Sequence, residues 1–316
     1  MANVTKRLFT DATAQAILEQ LTQQTGYLGS LVGEDKTQLS TSTKASFVGA
    51  INEIVSFSKA LKEGTGAGLH NGIYRGKYLG TSVTAAQWAA IAAGTFDDLW
   101  IGDYWTINGV NWRIADFDYW LHSGDTECTT HHIVIVPDQT LYNAQMHNTT
   151  SGGYESGAAN TTEGGYVGSD MYTTNLAQAK AIINNAFGSA HILNHRMFLH
   201  NAVSSGRPSG GAWYDSTVEL MTEQMVYGGK IFGAACDGTT VPYLHTVEKS
   251  QLSLFRLCHE KTIATKLADG TRMWWWLRDV VSAAYFADVY YGGAASSGHA
   301  SNAGGVRPAF AVRAAA

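Results

Sequence analysis

Apolar positions in the first sixty residues recur at helical spacing. Ile17, Leu21, Leu28 and Leu31 fall close to a heptad, and Phe47, Ile51, Ile54 and Leu61 line one stripe. The steps Phe47, Ile51, Ile54 and Ser58 alternate four and three residues, as a coiled-coil seam does. A polar run from Val32-Gly33-Glu34 to Ser42 separates the two stripes, and Ser42 or Thr43 is placed to cap the second helix. Short amphipathic helices do not bury such stripes alone. The pattern therefore predicts a helical, coiled-coil-like oligomerisation segment, and self-association is preferred over packing within the chain.

After Gly64-Thr65-Gly66-Ala67-Gly68 the pattern changes. It predicts a strand over 74–80, a short alanine-rich helix over 84–93, and two strands within 99–114 that turn at Asn108-Gly109. A further strand over 131–136 ends at Pro137, and 146–175, rich in Gly, Thr, Ser, Asn and Tyr, reads as a long surface excursion. Helices are expected over 176–187, stopped by Gly188, and over 218–227. The expected class is α+β: a helical region over 1–66, then one domain of short strands, a few helices and long loops over 67–316.

Composition narrows the function. Lys and Arg number 21 against 26 Asp and Glu, a formal charge of −5, which provides no basic footprint for nucleic acid. No apolar run is long enough to span a bilayer, and Met1 to Arg7 lacks the apolar core of a secretory signal. Cys128, Cys236 and Cys258 are widely spaced, so reduced, partly buried thiols are expected instead of a disulfide framework or a zinc site. His131-His132 and the group His191, His195 and His200 invite a metal reading; His191 and His195, four apart, would share a helix face, but no HExxH glutamate accompanies them. The segment 192–198 reads as core, and no metal or cofactor is expected. Asp116, Asp118, Asp125 and Glu127 read as a solvated loop, and no nucleophile elbow, phosphate loop or dinucleotide fingerprint is present. No enzymatic role is therefore expected. In a strand, Trp275 points opposite to Trp274 and Trp276, so the tryptophan run reads as structural before it reads as a sugar platform.

The C-terminal end carries the clearest signal. Trp274-Trp275-Trp276-Leu277-Arg278 and Gly305-Val306-Arg307-Pro308-Ala309-Phe310 bracket a segment rich in tyrosine, glycine and serine. Apolar anchors around small residues and tyrosines are the composition of a display loop on a rigid scaffold. The expected ligand contacts are Tyr285, Asp288, Tyr290, Tyr291, Ser296, Ser297 and His299, with Trp276, Arg278, Arg307 and Phe310 as support.

Two resemblances add to this. The segment 39–54, which includes Leu39-Ser40-Thr41-Ser42 and Phe47-Val48-Gly49-Ala50-Ile51-Asn52-Glu53-Ile54, resembles a short module near the N-termini of bacteriophage fibre and other virion proteins. The body from Gly72 to Val312 resembles a C-type-lectin-like family of phage and prophage surface proteins. The matching pieces are Asp98-Leu99-Trp100-Ile101-Gly102-Asp103-Tyr104-Trp105, Val136-Pro137-Asp138, Glu219-Leu220-Met221, Trp276-Leu277-Arg278 and the Gly305 to Phe310 motif. Some members of that broad fold are variable proteins of diversity-generating retroelements, mutated at adenines within asparagine codons. Changes to the first two bases of such codons never yield Lys, Glu, Gln, Met or Trp, and none of these occurs over 279–305. The Glu-Pro-Asn type calcium tripeptides of animal lectins are absent, and Cys236 and Cys258 lie apart, unlike the close cysteine pair implied for the formylglycine-forming members.

The resemblances imply a virion fibre at the phage surface: a homo-oligomer, trimeric or dimeric, joined to other virion proteins through its N-terminal region. Its lectin-like domain would bind a bacterial surface receptor, glycan or protein. The alternative is a structural capsid or head decoration fibre without a receptor.

Overall fold

A computed structural model describes residues 15–23, 53, 66–147, 161–236 and 250–315. The chain divides into two compact units, 1–63 and 64–316. In the first unit residues 15–23 form a helix on which Ile17, Leu18 and Leu21 are all exposed. Leu28, Leu31, Phe47, Ile51, Ile54 and Leu61, and all of segment 39–54 except Glu53, lie outside the described residues.

The second unit is mixed α+β, built mostly from sheets. Its strands in chain order are β1 Tyr104–Ile107, β2 Val110–Phe117, β3 Ile133–Pro137, β4 Gln139–Thr140, β5 Tyr142–Ala144, β6 His195–Ser204, β7 Arg207–Ser216 and β8 Val218–Leu220. They continue as β9 Ala264–Lys266, β10 Arg272–Met273, β11 Trp275–Val280, β12 Tyr285–Val289, β13 Ala295–His299, β14 Gly304–Val306 and β15 Pro308–Val312. One five-stranded sheet runs β1-β2-β3-β15-β8 and a second runs β13-β12-β11-β14-β5; β10-β9-β4 and the hairpin β6-β7 complete the set.

The hairpin expected at Asn108-Gly109 forms. Both residues take positive φ, 52° and 79°, the conformation of a two-residue turn whose twist matches its strands. The helix Ala85–Ala93 begins at a capping box, Thr84 with Gln87, and stops at a left-handed Gly94. On the helix Leu176–Phe187 the buried positions Leu176, Ala179, Ile183 and Phe187 form one stripe. Phe187 meets Trp112 and Phe310 edge-on, with ring centres 5.6 and 5.4 Å away, which docks this helix on the first sheet.

Four expectations are corrected. Segment 74–80 is not a regular strand: it pairs through isolated bridges, Tyr74 to Ile101 and Tyr78 to Tyr104, and the Thr106 amide donates to the Gly80 carbonyl at 3.0 Å. The buried Asp103 carboxylate takes the Lys77 amide at 2.8 Å, the Trp100 amide at 2.9 Å and the Arg75 guanidinium, so a side chain interrupts the backbone bonding of the segment. Segment 218–227 divides: Val218–Leu220 pairs with β15, and Thr222 then caps the short helix Glu223–Tyr227. The described part of 146–175 is not a surface excursion, because Thr162, Tyr166, Ser169 and Met171 are buried. Its polar groups bond inward: Tyr166 Oη donates to Glu219 at 2.8 Å and Thr162 Oγ1 to the Ser282 carbonyl at 2.7 Å. Asp116 and Asp118 leave the expected solvated loop. Asp116 is buried on β2, accepting the Ser253 amide, and Asp118 accepts the His132 amide and pairs with His131.

The two main sheets are joined where the chain passes directly from one to the other. β14 in the second sheet runs through Arg307 into β15 in the first. Nearby, β3 in the first leads through Pro137 and β4 to β5 in the second. Arg307 Nε donates to the Pro137 carbonyl at 2.7 Å, and the Leu141 amide donates to the Val306 carbonyl at 2.9 Å. Arg278 forms a second join: its amide bonds to the Met221 carbonyl and its Nη1 to the Leu220 carbonyl, carrying β11 to the end of β8.

This crossing leaves no room beside Gly305. A Cβ there would lie 2.5 Å from Thr140 Cγ2 and 2.9 Å from the Trp274 carbonyl oxygen, so a side chain and a backbone group must both shift to admit it. Gly305→Ala is expected to destabilise the domain by about 2–4 kcal/mol, read as a lower urea midpoint at unchanged slope.

Candidate ligand-binding hairpin

Between the two arginines the chain forms a β-hairpin, not an open loop. β12 and β13 pair in register from Tyr285–His299 to Val289–Ala295, and β13 is the edge of its sheet. The alternation that makes these strands also sorts the expected contact residues. Tyr285 and His299 face each other, with rings 4.1 Å apart and Tyr285 Oη 2.6 Å from His299 Nε2, both half-buried. Ser296 and Ser297 lie half-buried along the edge strand. Tyr290 and Tyr291, at the turn, are 55% and 38% exposed, and their rings meet edge-on at 5.0 Å.

Asp288 departs from that set. It is 4% exposed and pairs with Ser296 on one side and Trp276 on the other. The Trp276 ring and the carboxyl fill the space over Gly298, where a Cβ would lie 2.9 Å from the ring and 3.1 Å from Asp288 Oδ2. Burial pushes the Asp288 carboxyl up to about 7, with the Ser296 hydroxyl pulling the other way, and its Oδ1 is buried without a hydrogen-bond partner. As a ligand contact Asp288 is therefore corrected to a buried group beneath the edge strand.

The turn is held from below. Gly293 takes φ 87°, and a Cβ there would meet Thr262 Oγ1 at 2.3 Å, so only glycine fits. Tyr227 Oη donates to the Gly293 carbonyl at 3.0 Å, and the Tyr290 amide to the Ala294 carbonyl at 2.8 Å. The Thr262 carbonyl in turn accepts Trp275 Nε1 at 2.9 Å and Arg307 Nη1 at 3.3 Å. Tyr227, Thr262 and Gly293 are thus positioning residues that sequence reasoning did not reach; only the glycine pair after Tyr290-Tyr291 hinted at the turn.

The expected support residues lie beneath. Trp276, Arg278, Arg307 and Phe310 are all buried, and Trp276 Nε1 donates to the Ala144 carbonyl at 2.9 Å. The tryptophan run therefore offers no open stacking face: Trp275 and Trp276 are fully buried, and Trp274 packs edge-on against Trp276 at 4.8 Å. Arg307 lies under the Trp275 ring at 4.8 Å, and burial pulls its guanidinium down to about 10, so it stays charged at neutral pH.

The histidines do not share a helix face. His191 stacks on Trp88 at 3.9 Å and contacts the Arg313 carbonyl, His195 is buried on β6, and His200 lies further along β6 with Cys236 Sγ 3.8 Å from its Nε2. His191 ends a short turn before β6, and His195 and His200 lie along the strand, which spreads over a ladder what a helix would gather. No disulfide joins the three cysteines; Cys128 and Cys236 are buried and Cys258 half-buried. No helix among the described residues is long and apolar enough to cross a membrane.

A family model described only as a domain of unknown function, DUF6273, is similar to residues 220–314. That span holds Arg278, the whole β12–β13 hairpin and Arg307. No curated protein and no solved structure matches the chain.

Asp288 has a measurable consequence. Its folded pKa lies above the roughly 3.9 of an unfolded aspartate. Its contribution to stability is therefore fully present below about pH 4 and lost as pH rises through about 7. Asp116, pushed by burial up to about 6, slopes the same way. Asp288→Asn is expected to gain on the parent between pH 4 and pH 8 by on the order of 2–4 kcal/mol, read from urea unfolding at both pH values.

Proposed function

We propose that the protein is a bacteriophage virion fibre component that binds a bacterial surface receptor, glycan or protein, through the β12–β13 hairpin of a C-type-lectin-like domain. The observation that carries this reading is the exposed pair Tyr290 and Tyr291 on a turn locked by Gly293, Thr262 and Tyr227. Exposed tyrosines on a fixed backbone supply contact area with a polar tip at little entropic cost. Tyr285, His299, Ser296 and Ser297 extend the same edge with hydrogen-bonding groups, while Asp288 supports from beneath.

The N-terminal region attaches to other virion proteins and trimerises in this reading. Helix 15–23 supports it by exposing Ile17, Leu18 and Leu21, an apolar stripe of the kind a helix buries against its own copies. Several copies per particle make weak single contacts sufficient through avidity. No step in this function is chemical: the protein binds and does not catalyse. Diversification of the hairpin by a retroelement belongs to the same proposal, supported by the residue types over 279–305.

Labelled protein is expected to bind cells of the host strain. Tyr290→Ala with Tyr291→Ala should reduce that binding at least about tenfold while leaving the melting temperature within a degree or two, because both side chains are exposed. Equal binding by parent and variant would remove the hairpin from the receptor site. Failure of both folded proteins to bind would favour a structural decoration protein without a receptor. Light scattering should give a trimer, and a clean monomer at micromolar concentration would overturn that part of the reading.

A further inference from the structure

Among the described residues of the second unit, large apolar side chains stand exposed side by side in two places. One is the Tyr290–Tyr291 turn. The other is Ile231 and Phe232, 57% and 44% exposed, in the segment that follows the helix Glu223–Tyr227. Single apolar side chains scattered over a surface need no explanation, whereas an adjacent pair fixed in the open does.

This pair is fixed. Glu223 is fully buried, and its carboxylate accepts the Ile231 amide at 2.8 Å, the Phe232 amide at 2.9 Å and the Gly233 amide at 2.8 Å. Three successive backbone donors on one carboxylate leave the segment little freedom, because hydrogen bonds to a charged acceptor are the strong ones. Gly233 lets the backbone close on that group: a Cβ there would lie 3.0 Å from Glu223 Oε2 and 3.1 Å from Asp279 Cβ. The Ala234 amide bonds the Val280 carbonyl at 2.7 Å, and Asp279 Oδ2 accepts the Glu223 amide at 2.7 Å, so both ends of the assembly are tied to β11.

The same short helix carries the hairpin turn. Glu223 and Tyr227 are four residues apart, so they share a helix face and stand about 6 Å apart along its axis. Glu223 holds 231–233, and Tyr227 holds Gly293. The two exposed pairs therefore hang from neighbouring anchors, close enough for one partner with a footprint of roughly 800 Å² to cover both. What 231–233 offers that partner is apolar area. Ile231 and Phe232 have no polar side-chain atom, and the three amides are taken by Glu223. A sugar is held by hydrogen bonds to its hydroxyls as well as by a flat ring to stack on, and Ile231 supplies neither, whereas an apolar recess on a protein needs only the area.

We propose that Ile231 and Phe232 are a second contact of the receptor-binding surface, and that the receptor is a protein with an apolar recess for these two side chains. This rests on the receptor-binding function proposed for the hairpin and narrows its receptor from glycan or protein to protein. With the backbone of 231–233 already fixed by Glu223, binding orders little beyond the two side chains.

The test measures binding of labelled full-length protein to host-strain cells that are untreated, treated with proteinase K, or oxidised with periodate. Proteinase treatment is expected to reduce binding at least about tenfold and periodate to leave it within about twofold. Ile231→Ser with Phe232→Ser should weaken binding to untreated cells at least about tenfold, with the melting temperature within a degree or two of the parent because both side chains are exposed. The inference is overturned, and the hairpin reading left standing, if that variant binds as the parent does, or if parent binding survives proteinase or is lost to periodate. Equal binding of the parent to protein-free vesicles of phosphatidylethanolamine and phosphatidylglycerol overturns it in favour of a lipid surface. No binding of the parent to untreated cells overturns the hairpin reading and this inference with it.

Discussion

The domain depends on one buried cation. Arg307 stands where the chain leaves the second sheet and enters the first, and it is completely enclosed. Among the described residues no carboxylate is paired with it: its partners are the Pro137 and Thr262 carbonyls and the faces of Trp275 and Phe255. A charge taken out of water is costly unless fixed dipoles replace the water; these carbonyls and the rings do so in part, Nη2 being buried without a hydrogen-bond partner, and only while both chain crossings hold their positions. Arg307 therefore couples the sheets more by directional need than by raw affinity. Truncating it would remove the Pro137 carbonyl's side-chain donor, leave the Thr262 carbonyl with Trp275 Nε1, and open a void between the sheets.

The same network reaches the surface. The Thr262 carbonyl accepts from both Arg307 and Trp275, while the Thr262 side chain sits against Gly293 at the hairpin turn. Exposed tyrosines on an edge hairpin would ordinarily lose conformational freedom on binding a partner. Here the backbone beneath them is already fixed by the core, so what remains to be ordered on binding is mostly side-chain rotation. Asp288 sits on the less stable side of this arrangement. Its buried carboxyl is held beside Trp276 over a glycine, and it loses stability whenever it ionises. That cost lies in the hairpin, beside Trp276.

An open cavity beside the loop 126–130 differs in kind from the hairpin. The hairpin turn exposes two aromatic rings, whereas the cavity is lined by threonine and asparagine together with Glu127, Arg196 and Asp215. The two lie on different segments, and the DUF6273-like span of 220–314 contains the hairpin but none of the cavity wall. The cavity wall belongs to the part of the chain in which sequence reading found only a solvated loop and a core segment.

What the sequence determined by itself was local. The Asn108-Gly109 hairpin, the capped helix Ala85–Ala93 and the helix Leu176–Phe187 follow from turn chemistry, a capping box and a 3.6-residue stripe, all of which act within a few residues. The anchoring role of Trp276, Arg278, Arg307 and Phe310 was also legible, because apolar and cationic residues flanking a run of small ones mark the ends of a supported segment. What only the tertiary structure decided was which polar groups are inside. Asp116, Asp288 and Thr162 look like surface residues by type, yet each is buried by strands or loops that arrive from distant parts of the chain. Segment 218–227 became strand and helix because β15 offers a ladder to its first half, and the backbone bonding of 74–80 is interrupted because the Asp103 carboxylate competes for its amide and side chains. Periodicity reports what a segment prefers alone, whereas burial and pairing are set by partners that the local pattern does not contain.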